Sequence, residues 1–246
     1  MSVMPVTVAA PDASGPGDSC QAGTMSEVRT EAVPLVDGSE LRLTVAEPDA
    51  SVRGGIVVLH GARGITDSVR GLVQGFAGDG WLVVAPHLYH RDDADEVSED
   101  RAQEQVGRLD RDQIVADTDT AFGWLAEREV KADRMGVVGF DIGGSVALFV
   151  AATRTLGAAV TVGNEVPPAS LITLVSDAAG LTCPWLGIYG TDEPGVDRLR
   201  TAVSASEVAT DVVVYPSNGC HRFDDDPATA AEAWQRTLNW FDAHLR

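Results

Sequence analysis

From Leu41 onward the chain alternates short apolar runs with longer amphipathic segments, and few folds satisfy that alternation. A short run with no polar face is covered on both sides. A helix between two such runs returns the chain to begin the next strand in the same direction. The pattern is that of βαβ units around a mostly parallel central sheet with helices on both faces, an α/β architecture. It predicts strands over Leu41–Ala46, Gly55–His60, Leu82–Ala85, Met135–Phe140, Ala158–Val162, Trp185–Tyr189 and Asp211–Tyr215. Helices are predicted from Thr66, a candidate N-cap, to Ala77, and over Asp112–Glu129, Gly143–Thr153, Val196–Ser206 and Pro227–Leu245. In the last of these, Ala231, Trp234, Leu238, Phe241 and Leu245 recur at helical spacing and read as a core-facing stripe.

A chain of 246 residues is within reach of a single core, so residues 28–246 are expected to form one domain. No stretch approaches the roughly 20 uninterrupted apolar residues that a membrane span requires. The formal charge of −19 repels phosphate backbones, which leaves a small molecule as the expected partner, with no nucleic acid and no membrane. Cys20, Cys183 and Cys220 form no disulfide framework and suit the reduced thiols of a cytoplasm. Residues 1–27, rich in Ala, Pro, Gly, Ser and Asp, lack the charged and apolar regions of a signal peptide and are expected to be a disordered leader, with Met25 a second candidate start. The acidic run Asp92–Asp100 reads as a solvated loop or a helix approach beside the rim of the site. A monomer or a homodimer is expected.

The chemistry concentrates in Val137-Val-Gly-Phe-Asp-Ile-Gly-Gly-Ser145: the end of a strand, a tight turn and the start of a helix. Glycines at 139 and 143 let the backbone fold sharply, so that the side chain between them, Asp141, projects at a helix N-terminus. Two readings stand at this point. Asp141 is either the N-cap of an ordinary Gly-rich turn or the central residue of a G-x-nucleophile-x-G elbow. The order of later residues favours the elbow, because an acid after one subsequent strand (Asp192 or Glu193) is followed by a histidine after the next (His221).

Four stretches together resemble the dienelactone hydrolase family from about Thr30 to the C-terminus: Ala85-Pro-His-Leu-Tyr-His-Arg91, Gly139-Phe-Asp-Ile-Gly-Gly144, Tyr189-Gly-Thr-Asp-Glu-Pro194 and Gly219-Cys-His-Arg-Phe223. The resemblance implies an α/β-hydrolase fold, no cofactor, and action on lactones and related esters through a cysteine or serine nucleophile. By position it puts Asp141 in the nucleophile's place, His221 as base and Glu193 as the acid behind it, with Asp192 the alternative acid. It implies an oxyanion hole from the backbone N–H groups of Ile142 and Ala62, and a substrate-carboxylate contact from Arg91, with Tyr89 and Arg63 alongside. The sequence departs from the family at Gly61, where a glutamate is expected, and at Asp225, near the expected place of a second arginine.

The aspartate changes the expected chemistry. A carboxylate attacking an ester carbonyl gives a reactive anhydride, whereas attack on a saturated carbon gives an ordinary ester that water activated by His221 hydrolyses. Haloalkane dehalogenases and epoxide hydrolases share the fold and use an elbow aspartate in this way, so a carbon–halogen bond or an epoxide joins esters and lactones as an expected target; the resemblance to them is confined to position 141. An ion pair of Asp141 with His221 filling the oxyanion pocket would instead leave a silent, small-molecule-binding homologue, and a third reading is a nucleophile-replaced variant of an active cysteine or serine enzyme. No metal is expected: His60, His87 and His90 match no zinc signature and read as loop histidines.

Overall fold

The computed structural model describes residues 26–163, 178–191, 193, 195–216 and 227–245. Eight strands form one sheet: β1 Val28–Pro34, β2 Glu40–Ala46, β3 Gly55–Leu59, β4 Leu82–Pro86, β5 Met135–Phe140, β6 Ala158–Val162, β7 Trp185–Gly190 and β8 Thr210–Tyr215, in the order β1-β2-β4-β3-β5-β6-β7-β8. Strands β3 to β8 run parallel, and β2 joins them antiparallel to β4. All seven expected strands form, within one residue at each end.

The apolar runs carry no alternation because both faces are covered. Along β3, Val57 and Leu59 point into one core layer with Phe122 and Leu125 of helix α3 (Arg111–Ala126), Val146 and Val150 of α4 (Ile142–Thr153) and Leu199 of α5 (Val196–Val203). Ile56 and Val58 point into the opposite layer with Val73 and Phe76 of α1 (Asp67–Gly78) and Phe241 of α6 (Pro227–His244). Burying a Val or Leu side chain contributes about 1.5–3 kcal/mol, so two continuous layers dominate the stability of the sheet. Helix α1 begins where expected, with the Thr66 hydroxyl accepting from the Val69 N–H at 3.3 Å.

Two elements were not expected. Strand β1 pairs along its whole length with β2 (Val28↔Ala46 through Pro34↔Glu40), yet its sequence VRTEAVP breaks its apolar residues with Arg29, Thr30 and Glu31 because it is a partly exposed edge. Glu31 on it accepts hydrogen bonds from the Trp124 indole (2.8 Å) and Arg128, which ties the edge to α3. Part of the acidic run is the start of helix α2 (Glu99–Val106), whose buried residues are Ala102, Gln105 and Val106. Helix α3 also stops at Ala126, short of Glu129, where the backbone turns to φ 64°. Of the expected leader, residues 1–27, the first 25 lie outside the described residues, while Ser26 is buried with its carbonyl accepting from the Gln74 amide at 3.2 Å.

Candidate active site

Parallel strands deliver their C-terminal ends to one edge of the sheet, and the site is built there. The end of β5 carries Asp141, which occupies the N-cap position of α4 with φ 50° and ψ −113°. An N-cap residue ordinarily has extended backbone; this side-chain-bearing residue instead sits at positive φ, at a cost of about 1–3 kcal/mol. Its N–H donates to the Val162 carbonyl on β6 (2.9 Å), its carbonyl accepts from the Ser145 N–H (3.1 Å), and its carboxylate does not cap α4. The neighbouring glycines are required sterically. A Cβ on Gly139 would stand 2.0 Å from the Gly143 carbonyl oxygen, and one on Gly143 would stand 2.4 Å from that of Leu59. This is a strand–elbow–helix turn in which Asp141 holds the N-cap position without capping the helix through its side chain.

Ile142 is the first residue of α4, so its N–H is one of the first-turn donors that no intrahelical carbonyl can reach. The second expected donor, Ala62, lies in the loop after β3, and both residues are buried. A cavity of about 50 Å³ lies between that loop and the elbow, lined by Gly61, Ala62, Arg63, Gly64, Thr66, Ser68, Val69, Leu72, Phe140 and Asp141.

Three structures that the sequence did not announce hold this loop. The first is His60, wholly buried, whose Nδ1–H donates to the Gly61 carbonyl (2.8 Å) while its Nε2 accepts from the Leu88 N–H (3.1 Å). Burial pushes the imidazole down to about 4, so the neutral ring serves as donor and acceptor between two backbone segments. The second is Tyr89, whose ring packs edge-on against His60 and whose hydroxyl donates to the Ala62 carbonyl at 2.8 Å. The third is the acidic run: Asp95 and Glu96 lie against the loop, with the Ile65 N–H donating to the Asp95 carbonyl (2.7 Å), the Val97 N–H to the Arg63 carbonyl (2.9 Å), and a bridge between Gly64 and Glu96. His87 braces Asp95 from behind, its Nδ1 2.6 Å from Oδ1 and its Nε2 2.8 Å from the Thr44 hydroxyl; burial holds this imidazole below its ordinary value against the opposing pull of Asp95.

The remaining expected site residues fall in different places. Glu193, three residues past Gly190 at the end of β7, accepts from the Gly190 N–H through Oε1 at 2.7 Å. It lies close enough to buried Tyr189 for its charge to reinforce burial in raising that phenol. The expected base His221 and the alternative acid Asp192 lie outside the described residues, as do Cys220 and Asp225. Arg63 lines the cavity, with its guanidinium on Glu96 at 2.5 Å.

Arg91, expected at the substrate, does not line that cavity. Its guanidinium forks onto Asp117 of α3 at 2.7 and 3.0 Å, and Asp117 is buried and shared with His90 Nε2 at 3.1 Å. Tyr89, expected alongside it, is buried and turned to the loop backbone. Among the described residues no group of three His, Cys, Asp or Glu side chains is arranged to hold a metal ion. Cys183 is buried and its thiol is pushed up to about 12, which makes it inert as a nucleophile.

A doubly covered parallel sheet with a buried residue on a sharp elbow at its C-terminal edge is the framework of an α/β-hydrolase. Comparison with known proteins narrows the class. The dienelactone hydrolase family profile matches residues 41–245. A Salmonella typhimurium protein named "Putative carboxymethylenebutenolidase" is 30% identical over 225 residues, covering 83% of each chain. The carboxymethylenebutenolidase of Rhodococcus opacus is 26% identical over 218 residues, covering 81% of this chain and 85% of its own. A Klebsiella pneumoniae crystal structure titled "Putative Dienelactone Hydrolase" superposes with a TM-score of 0.76 at 26% identity, covering 89% of this chain and 99% of that one. The chain belongs to the dienelactone hydrolase family and is a hydrolase. Among the described residues no helix is long and apolar enough to cross a membrane.

Proposed function

We propose that the protein hydrolyses a small lactone, ester or related electrophile at the Asp141 elbow, and that where the target is a carbon–halogen bond or an epoxide Asp141 supplies the attacking oxygen. The observation that carries this reading is the backbone of Asp141, held buried at φ 50° and ψ −113° between β5 and α4 and facing the cavity. Strain of this kind is retained where the surroundings impose it, and here it presents a carboxylate beside backbone donors.

Where the target is a halide or an epoxide, a carboxylate oxygen bonds in the first step to a saturated carbon of the substrate. The bond to the leaving oxygen or halogen breaks, and its electron pair leaves with that group. In the second step water adds to the Asp141 carboxyl carbon, the Ile142 and Ala62 N–H groups stabilise the charge on its oxygen, and the alkyl oxygen departs as an alcohol. We assign His221 to take the proton from that water, and Glu193, with Asp192 as alternative, to orient the imidazole. In this scheme Tyr89 acts by holding the Ala62 loop, Arg63 borders the substrate, and Arg91 reaches a substrate carboxylate only by leaving Asp117. We place the protein in the cytoplasm as a monomer or homodimer acting on a small molecule.

The test is a panel of p-nitrophenyl acetate, lactones, haloacids and epoxides, assayed with wild type, Asp141→Ala and His221→Ala. The expected result is turnover of at least one class by wild type and a loss of roughly 100-fold or more in both variants. Equal rates for all three proteins would reject catalysis at this site and leave a binding pocket.

A further inference from the structure

Gly61 carries no side chain for a reason different from that of the other glycines around the site. At Gly64, Gly139 and Gly143 an added Cβ would strike backbone: the Asp95 carbonyl oxygen at 2.2 Å, that of Gly143 at 2.0 Å and that of Leu59 at 2.4 Å. Gly64 also needs its positive φ of 86°, whereas Gly61 is not among the positive-φ glycines. The three atoms nearest a Cβ at Gly61 all belong to Asp141: Oδ2 at 2.8 Å, Cβ at 3.6 Å and Cγ at 3.6 Å.

Those three distances separate the effects of side-chain type at the elbow. Contacts at 3.6 Å are ordinary van der Waals contacts, and a serine at 141, whose side chain ends at the atom corresponding to Cγ, would bring no atom to the Oδ2 position. Only the third atom out, a carboxylate oxygen, comes too close. The empty position at 61 is therefore matched to a carboxylate at 141 and not to the elbow turn itself.

We propose that Gly61 is a positioning residue that seats Oδ2 of Asp141 and thereby holds the carboxylate plane in one orientation beside the Gly61–Ala62 loop. Its neighbour His60 fixes the Gly61 carbonyl, so the floor of the seat is rigid. The catalytic half of this inference rests on the reading of Asp141 as the reacting group; the packing half does not.

Four proteins test it: wild type, Gly61→Ala, Asp141→Ser and Gly61→Ala with Asp141→Ser. In thermal unfolding, Gly61→Ala is expected to lower Tm by roughly 3–10 °C with aspartate at 141 and by less than about 1 °C with serine there. Equal shifts in the two backgrounds, including no shift in either, would overturn the proposal. On any substrate turned over by wild type, Gly61→Ala is expected to lower kcat by about 10-fold or more with KM within about 3-fold, since a misdirected carboxylate loses rate rather than binding. If no substrate is turned over while the Tm coupling appears, the functional reading fails and the seat stands. If hydrolysis is intact without coupling, only the seat fails.

Discussion

Replacing His60 tests the claim that a neutral, buried imidazole holds the Gly61–Ala62 loop. In His60→Phe the ring and its packing against Tyr89 are kept, but the part-buried Gly61 carbonyl and the buried Leu88 N–H each lose a partner. The Gly61 carbonyl keeps the Gly64 N–H at 3.1 Å, but the Leu88 N–H is orphaned at a cost of about 1–3 kcal/mol, so the variant is expected to be less stable by about that amount at pH 8. The gap should depend on pH with a definite sign. His60 titrates at about 4 when folded, against 6.5 for an unburied imidazole, so between these values the unfolded chain binds more protons and wild-type stability falls as pH falls. The contribution is fully present above 6.5 and is lost through the window down to about 4. From pH 8 to pH 5 the loss integrates to about 2 kcal/mol. Phenylalanine does not titrate, so the gap between the proteins should narrow by that amount. His87, held down in the same direction, is present in both proteins and cancels. Urea unfolding at pH 8, 7, 6 and 5 measures it, and stopping at pH 5 keeps this acidic chain charged and soluble. Parallel stability curves for the two proteins would refute the buried-neutral account of His60.

Other consequences follow from the same packing. Arg91→Ala removes the fork on Asp117 and leaves that buried carboxylate with His90, so a loss of about 3–5 kcal/mol in urea unfolding is expected, much of it recovered in Arg91→Met with Asp117→Leu. Tyr89→Phe removes one hydrogen bond to the Ala62 carbonyl and should cost about 1–3 kcal/mol, with a fall in kcat exceeding any change in KM. Gly139→Ala would drive a Cβ to 2.0 Å from the Gly143 carbonyl oxygen and is expected to give no protein with native near-ultraviolet circular dichroism.

What could be read in the residues follows physical lines. Strands such as Gly55–Leu59 were legible because burial on both faces writes itself as an unbroken apolar run. Strand β1 was not, because an edge strand needs little apolar surface and takes its shape from its partner's register and from Glu31 meeting Trp124, 93 residues away. Helix α2 was obscured for a similar reason, with a few buried residues among charges. Around the site, the bend that carries Asp141 into α4 was legible because the glycines at 139 and 143 encode a sharp strand-to-helix turn locally. The placement of Arg91 was not legible, since its partner Asp117 is 26 residues distant and only packing brings the two together. His60 was likewise read as a loop histidine, because nothing local distinguishes an imidazole bridging two backbone segments from one facing water.

The central claim is that an Asp141 oxygen forms a bond to the substrate. A single turnover in heavy-oxygen water with enzyme in excess, followed by mass spectrometry of the peptide spanning residue 141 and of the product, measures that event directly. Hydrolysis of an enzyme ester at the Asp141 carboxyl carbon predicts heavy oxygen in that carboxylate and ordinary oxygen in the first product formed. Heavy oxygen in the first product with none at residue 141 would contradict the account and make Asp141 at most a base that activates water.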